Sequence, residues 1–223
     1  MSSNAEPLGL LDSVNLLTPP HEASSMDMSC IVSAVLDDLV LVASFEPNER
    51  LPKEEQTRCC IYAAIRPLFA VVCAEHGYGS IDDGSRVECD LWARSSDGAP
   101  AWLEFKRCWC AKGWNNKPKA QLCGWRADVD KLRKVPVASE RYFLLVGFFD
   151  FDPISESDVK RGQVVRNIRK FHPSQLVCET SKEFAWRKGD GIKWAGAWVW
   201  HWASGVRIAE QHKQADVSVE RTK

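Results

Sequence analysis

Two short runs of alternating apolar and polar residues, close together in the chain, restrict the fold more than any other feature. Val87, Cys89, Leu91 and Ala93 interleave with Glu88, Asp90 and Trp92. Trp102, Glu104 and Lys106 then interleave with Leu103, Phe105 and Arg107. A period of two is the pattern of a β-strand, and Ser95-Ser96-Asp97-Gly98 between the runs has the composition of a hairpin loop. Tyr142 to Phe149 is almost continuously apolar, which reads as a buried strand. Helical spacing surrounds these strands. Apolar residues at 31, 35, 39 and 42 predict a helix from Ser29 to Phe45, ended by Glu46-Pro47-Asn48. A second helix is expected from about Lys53 to Glu75, behind Pro52, with Pro67 kinking or dividing it and His76-Gly77 stopping it. A third spans residues 117–134, with Leu122, Trp125, Val129 and Leu132 on one side. A further strand is expected near Tyr78–Ile81.

These elements predict an α/β fold, a mixed central sheet with flanking helices. Residues 1–27 read as a flexible arm, 28–50 as an N-terminal helix and 51–150 as the core. Residues 151–223 read as an extension packed on that core, with disorder over about the last 15 residues. In KWAGAWVWHWASG, Trp198, Trp200 and Trp202 alternate, so one strand face would be all indole; such a face more often builds a core or a subunit interface than a ligand platform. No stretch approaches about 18 consecutive apolar residues, so no membrane span is expected. Nine cysteines, odd in number and without a CxxC, argue against a disulfide framework or a zinc site and for reduced thiols in a cytoplasmic protein.

The formal net charge of -1 conceals a segregation. Residues 1–101 carry 6 Lys and Arg against 16 Asp and Glu, whereas residues 102–193 carry 19 against 11. A basic half beside an acidic one is what a polyanion-binding face produces, although solvated surface gives the same pattern about as often. Arg107, Lys112, Lys117 and Lys119 stand beside Trp109 and Trp114, a mixture suited to phosphates and unpaired bases; a loop whose tryptophans pack on the core explains it nearly as well. Arg126, Lys131, Arg133 and Lys134 give the following helix a basic side. Lys160, Arg161, Arg166, Arg169 and Lys170 form a further cluster.

Residues two apart on a strand share a face, so Glu104 and Lys106 project together. Asp90, fourteen residues earlier across the hairpin, reaches the same place. Two acids and a lysine among Val, Leu, Trp and Phe are costly unless paired or bound to a metal. Carboxylates of this kind suit Mg²⁺, which also takes water and phosphate oxygens, and a lysine beside it can act on a water or on the phosphate.

With Asp90 followed by Glu104-Phe105-Lys106 in that frame of elements, residues 50–150 resemble the PD-(D/E)xK nuclease superfamily, the restriction-endonuclease-like fold. The resemblance implies a helix-strand-strand-strand-helix-strand core with an N-terminal helical and a C-terminal Trp-rich extension. It implies Mg²⁺ (or Mn²⁺) on Asp90 and Glu104, with Lys106 assisting the attacking water. Many members add a glutamate from the first helix, here Glu54 in preference to Glu55, because Glu54 shares the face of Ile61 and Ile65 with Arg58. Some also carry a glutamine on the next helix, where Gln121 stands. Cys89 replaces the proline of the motif. The implied activity is metal-dependent hydrolysis of nucleic acid, DNA ahead of RNA, with Lys112, Trp114, Lys117, Lys119 and Gln121 as substrate contacts. A homodimer would suit double-strand cleavage. The rival expectation is a catalytically silent module on the same fold, binding nucleic acid or a protein.

Overall fold

In a computed structural model, the described residues are 27–45, 52–80, 86–94, 100–110, 118–155, 163–186 and 191–208. The arm expected over 1–27, apart from Asp27, and the C-terminal tail lie outside them. Four helices and six strands occur among the described residues: α1 (Met28–Phe45), α2 (Glu54–Ile65), β1 (Val71–Ser80), β2 (Arg86–Arg94), β3 (Pro100–Cys110), α3 (Pro118–Lys134), β4 (Glu140–Phe149), α4 (Gln163–Arg169), β5 (Leu176–Trp186) and β6 (Gly191–Trp202). The strands form one mixed sheet in the order β1-β2-β3-β4-β6-β5. Only β3 and β4 run parallel, joined through α3; the other neighbours are antiparallel.

The sheet buries both faces. Leu91, Ala93, Leu103, Phe105, Leu144, Val146 and Phe148 face a layer formed by α1 and α2. Trp102, Cys108, Phe143, Leu145 and Phe149 face α3 and α4, which contribute Trp125, Val129, Leu132, Val165 and Ile168. That two-sided burial explains the apolar run of β4, in which every position from Arg141 to Phe149 is buried. The indole row of β6 is core: Trp198, Trp200 and Trp202 are buried among Phe143, Phe149 and Phe171. The chain after residue 150 adds strands rather than a separate layer, because β6 pairs with β4 along its length.

The helix expected from Lys53 to Glu75 is shorter. It ends at Ile65, Pro67 lies in a 3₁₀ turn over Arg66–Leu68, and residues 71–75 belong to β1. Pro67 has no N–H to continue the helical ladder, and Val71, Val72 and Cys73 pair with Arg94, Ala93 and Trp92. The strand expected near Tyr78–Ile81 is the far end of β1. At the start of α2, the Gln56 side chain accepts the Lys53 N–H at 2.7 Å, and Glu54 and Glu55 lie in the first turn, where the helix dipole favours acids.

Helix α1 has 18 residues of mean hydropathy 1.9, enough by length and composition to cross a membrane. Here it is a core helix. Ile31, Val32, Val35, Leu36 and Leu39 are buried in the α1–α2 layer, and Asp37 on its outer side pairs with Lys182 of β5.

Gly147 and Gly196 pair across β4 and β6, and neither has room for a side chain. A Cβ on Gly147 would lie 2.6 Å from the Phe149 ring and 2.7 Å from Cys108 Sγ, whereas one on Gly124 in α3 would meet nothing within 4 Å. Gly147→Ala should therefore cost about 1–3 kcal/mol. Gly124→Ala should instead stabilise by about 0.5–1 kcal/mol through helix propensity. Urea unfolding of the two variants beside the parent checks both signs.

Candidate functional site

β2 and β3 pair over four residues only, Leu91–Arg94 with Leu103–Pro100. Beyond Leu103 the two strands part, and Asp90 sits at the fork. Its Oδ2 accepts the Phe105 N–H at 2.9 Å, taking up a donor at the point where the pairing stops. The other neighbour of β2 is also irregular here. The β1–β2 register passes from Ala74↔Leu91 to His76↔Cys89, leaving Glu75 opposite Asp90 outside the pairing. Glu75 has φ +51°, the sole positive φ among described non-glycine residues, a conformation that costs a side chain of this kind on the order of 1 kcal/mol. Both edges of β2 are thus distorted at the position that presents Asp90.

Glu104 is fully buried, at 0% exposure, on the face turned towards α3. Its Oε2 lies 3.1 Å from Lys131 Nζ, and its Oε1 has no hydrogen-bond partner among the described residues. Burial first, then the charge of Asp90, pushes the Glu104 carboxyl up to about 9, against the opposing pull of Lys131. Lys131 also lies 3.0 Å from Asp128 Oδ1, and Asp128 Oδ2 lies 3.4 Å from Lys106 Nζ. Lys106 in turn stands 3.9 Å from Glu54 Oε1. Burial alone would lower Lys131, but Glu104 and Asp128 outweigh it and hold the ammonium above its ordinary range. The result is a row of alternating acids and bases, Glu104–Lys131–Asp128–Lys106–Glu54, running from β3 to α3, back to β3 and on to the first residue of α2. On the other side of the fork, Arg58 of α2 pairs with Glu75 and lies 3.9 Å from Asp90 Oδ1.

Asp90, Glu104, Lys106 and Glu54 are therefore brought to one place. Glu54 and Glu55 are both exposed, and Glu54 is the one that reaches Lys106. The expected substrate contacts Lys112, Trp114 and Lys117 lie outside the described residues, as do the side chains of Lys119 and Gln121 in the first turn of α3. Sequence reasoning missed Asp128, and it gave Lys131 only to a basic side of the helix. The signal for Asp128 was present: it lies three residues after Trp125 and four before Leu132, on the apolar stripe of α3, where an acid needs a partner. Two other acids weighed in the sequence have structural partners. Asp150 pairs with Lys193, and Asp152 accepts from Ser181 Oγ and the Ile154 N–H, each at 2.9 Å.

Among the described residues, no three His, Cys, Asp or Glu side chains cluster tightly enough to enclose a metal ion. The candidate ligands at the fork are a pair, Asp90 and Glu104. Compared with known proteins, the chain matches no family model, no curated protein and no solved structure.

The raised Glu104 carboxyl has a consequence for stability. Between pH 4.5, its ordinary value, and about 9, the folded chain keeps a proton that the unfolded chain has released. Stability from this group is thus complete below that window and falls as pH rises through it. Glu104→Gln is neutral throughout. It should melt within about 2 °C of the parent at pH 5 and several degrees above it at pH 9, where each kcal/mol is worth about 2–4 °C. Thermal melts at the two pH values check this; a variant that melts lower at pH 9 contradicts it.

Proposed function

We propose that this chain is a metal-dependent nuclease of the PD-(D/E)xK, restriction-endonuclease-like kind, hydrolysing phosphodiester bonds of nucleic acid, with DNA ahead of RNA, in a cytoplasmic setting. One observation carries the reading: a fully buried glutamate with an unpartnered oxygen stands beside Asp90 where two strands part, with Lys106 two residues along. The order α2-β1-β2-β3-α3-β4 supports it, being the helix-strand-strand-strand-helix-strand frame that the sequence resemblance implies. So does the chemistry of the donors. Mg²⁺ takes one or two carboxylates and fills its remaining positions with water and phosphate oxygens, so a pair of acids suffices and an orphaned buried oxygen suits it. Asp90 and Glu104 would hold Mg²⁺ or Mn²⁺, which when bound supplies charge for the phosphate oxygens and a more acidic water.

The chain's own groups do the rest. Lys106, half-exposed and held between Glu54 and Asp128, presents an ammonium to the attacking water or to the scissile phosphate. Asp128 restrains that ammonium and neutralises Lys131, whose other contact is Glu104. Arg58 tempers the charge of Asp90 from the opposite side. Developing charge on a phosphate is stabilised by cations already in position, which need no reorganisation as the bond breaks.

A second reading, a silent module that binds nucleic acid or a protein without cutting, is favoured by the Lys131–Glu104 pair, which supplies a counter-charge to the buried acid without any metal. The two are separated by incubating the protein with plasmid, linear duplex, single-stranded DNA and RNA, in Mg²⁺, Mn²⁺ or EDTA, beside a Glu104→Ala/Lys106→Ala variant. Cleavage that needs the metal and falls at least about 100-fold in the variant is expected. No cleavage of any substrate, or equal cleavage by parent and variant, contradicts the nuclease reading.

A further inference from the structure

Arg107 follows Lys106 on β3 and points to the opposite face of the sheet, the one that carries Phe105 and Phe148. Its guanidinium lies over the Phe148 ring, 5.6 Å from the centroid. Its buried Nε has no hydrogen-bond partner, and no described carboxylate comes within ion-pair distance of the group; Glu54 acts on it only from farther away. Each other cation around the fork is matched: Arg58 by Glu75 and Asp90, Lys106 by Glu54 and Asp128, Lys131 by Glu104 and Asp128. Among the described residues around the fork, Arg107 is the surplus charge.

The Nε donor of this half-buried guanidinium is removed from water and given no acceptor in return, which is a cost to the free protein. The guanidinium itself sits over a core ring, so the donors are oriented in advance. Both features suit a ligand that arrives with oxygens and negative charge, and the planar fork of Arg matches phosphate better than Lys does. Arg107 stands three residues beyond Glu104, roughly 10 Å along the strand. A phosphate it held would be a neighbour of the one beside Asp90 and Glu104, not the same one.

We propose that Arg107 is a phosphate-binding residue that receives a backbone phosphodiester of the nucleic acid next to the scissile one, on the α2 side of the sheet. The identification of the anion as a nucleic-acid backbone rests on the function proposed above; the need of Arg107 for an anion does not.

The test measures binding without cleavage. A fluorescein-labelled oligonucleotide, single-stranded and duplex, is titrated with full-length protein in EDTA at several salt concentrations, with melting followed in parallel. Arg107→Met keeps a stem to lie on Phe148 and removes the charge. It should bind about five- to tenfold more weakly, with a salt slope smaller by about one, while melting at or above the parent temperature. Arg107→Lys should recover most of the affinity. Unchanged affinity and slope in Arg107→Met overturn the proposal, as does failure of the parent to bind at low salt. A strongly destabilised or unfolded Arg107→Met also overturns it, because the guanidinium would then serve the fold and not an anion. Displacement of the oligonucleotide by equimolar inorganic pyrophosphate would assign the site to a small phosphate compound and reject the backbone. A protein that binds through Arg107 yet cuts nothing in Mg²⁺ contradicts the nuclease reading alone.

Discussion

The arrangement around the fork depends on one constraint, a carboxylate buried at Glu104 with half of its hydrogen-bonding capacity unused. An acid in that position resists ionisation, and an ionised one demands cations. The neighbouring elements can be understood from that demand. Helix α3 brings Lys131 to Glu104, and Lys131 in turn requires Asp128 on an otherwise apolar stripe. Asp128 faces Lys106, which shares its strand face with Glu104 and reaches Glu54. Each charge is tolerable because of its neighbour, and the row ends where Glu54 meets solvent. Replacing the row with apolar side chains would be expected to cost the fold little, since buried ion pairs seldom exceed their desolvation cost. A network of this kind is easier to understand as chemistry than as support.

The backbone concedes something at the same place. β2 leaves β3 after Leu91, Asp90 takes the Phe105 N–H in place of a ladder carbonyl, and Glu75 opposite it accepts a left-handed conformation. Away from the fork the central strands are mostly apolar, with β4 buried from Arg141 to Phe149 and three indoles of β6 packed on aromatic neighbours, while β1 and β5 carry register shifts at Tyr78/Ser80 and Leu176/Cys178. Distortion, charge and an unpartnered carboxylate oxygen thus coincide at the fork. Such coincidence is the physical signature of a site whose geometry serves something other than stability.

Much of this was legible in the chain itself. The two alternating runs placed Asp90, Glu104 and Lys106 on adjacent strands; the helical face of Ile61 and Ile65 singled out Glu54, which reaches Lys106 from an exposed position at the helix start, not from an inward one. The apolar run at 142–149 and the indole alternation marked strands of the core. The extent of α2 was misread because Val71, Val72 and Cys73 continue an apolar helical spacing past Pro67; pairing with β2, which periodicity cannot see, decides their state. β5 escaped notice because its sequence, LVCETSKEFAW, alternates weakly and its inner face is defined by α1, far away in the chain. Asp128 and Lys131 were hidden for a related reason. A Lys and an Asp three apart on a helix read as a solvated pair until a strand places a buried glutamate beside them.

The central claim is that Asp90 and Glu104 form a divalent-cation site at the fork. Calorimetric titration of Mn²⁺ into the protein, and into Asp90→Asn and Glu104→Gln variants shown by circular dichroism to be folded, tests it without reference to any substrate. The account predicts saturable binding by the parent that is lost in both variants. Absence of binding by the parent, or binding that survives in either variant, would contradict it.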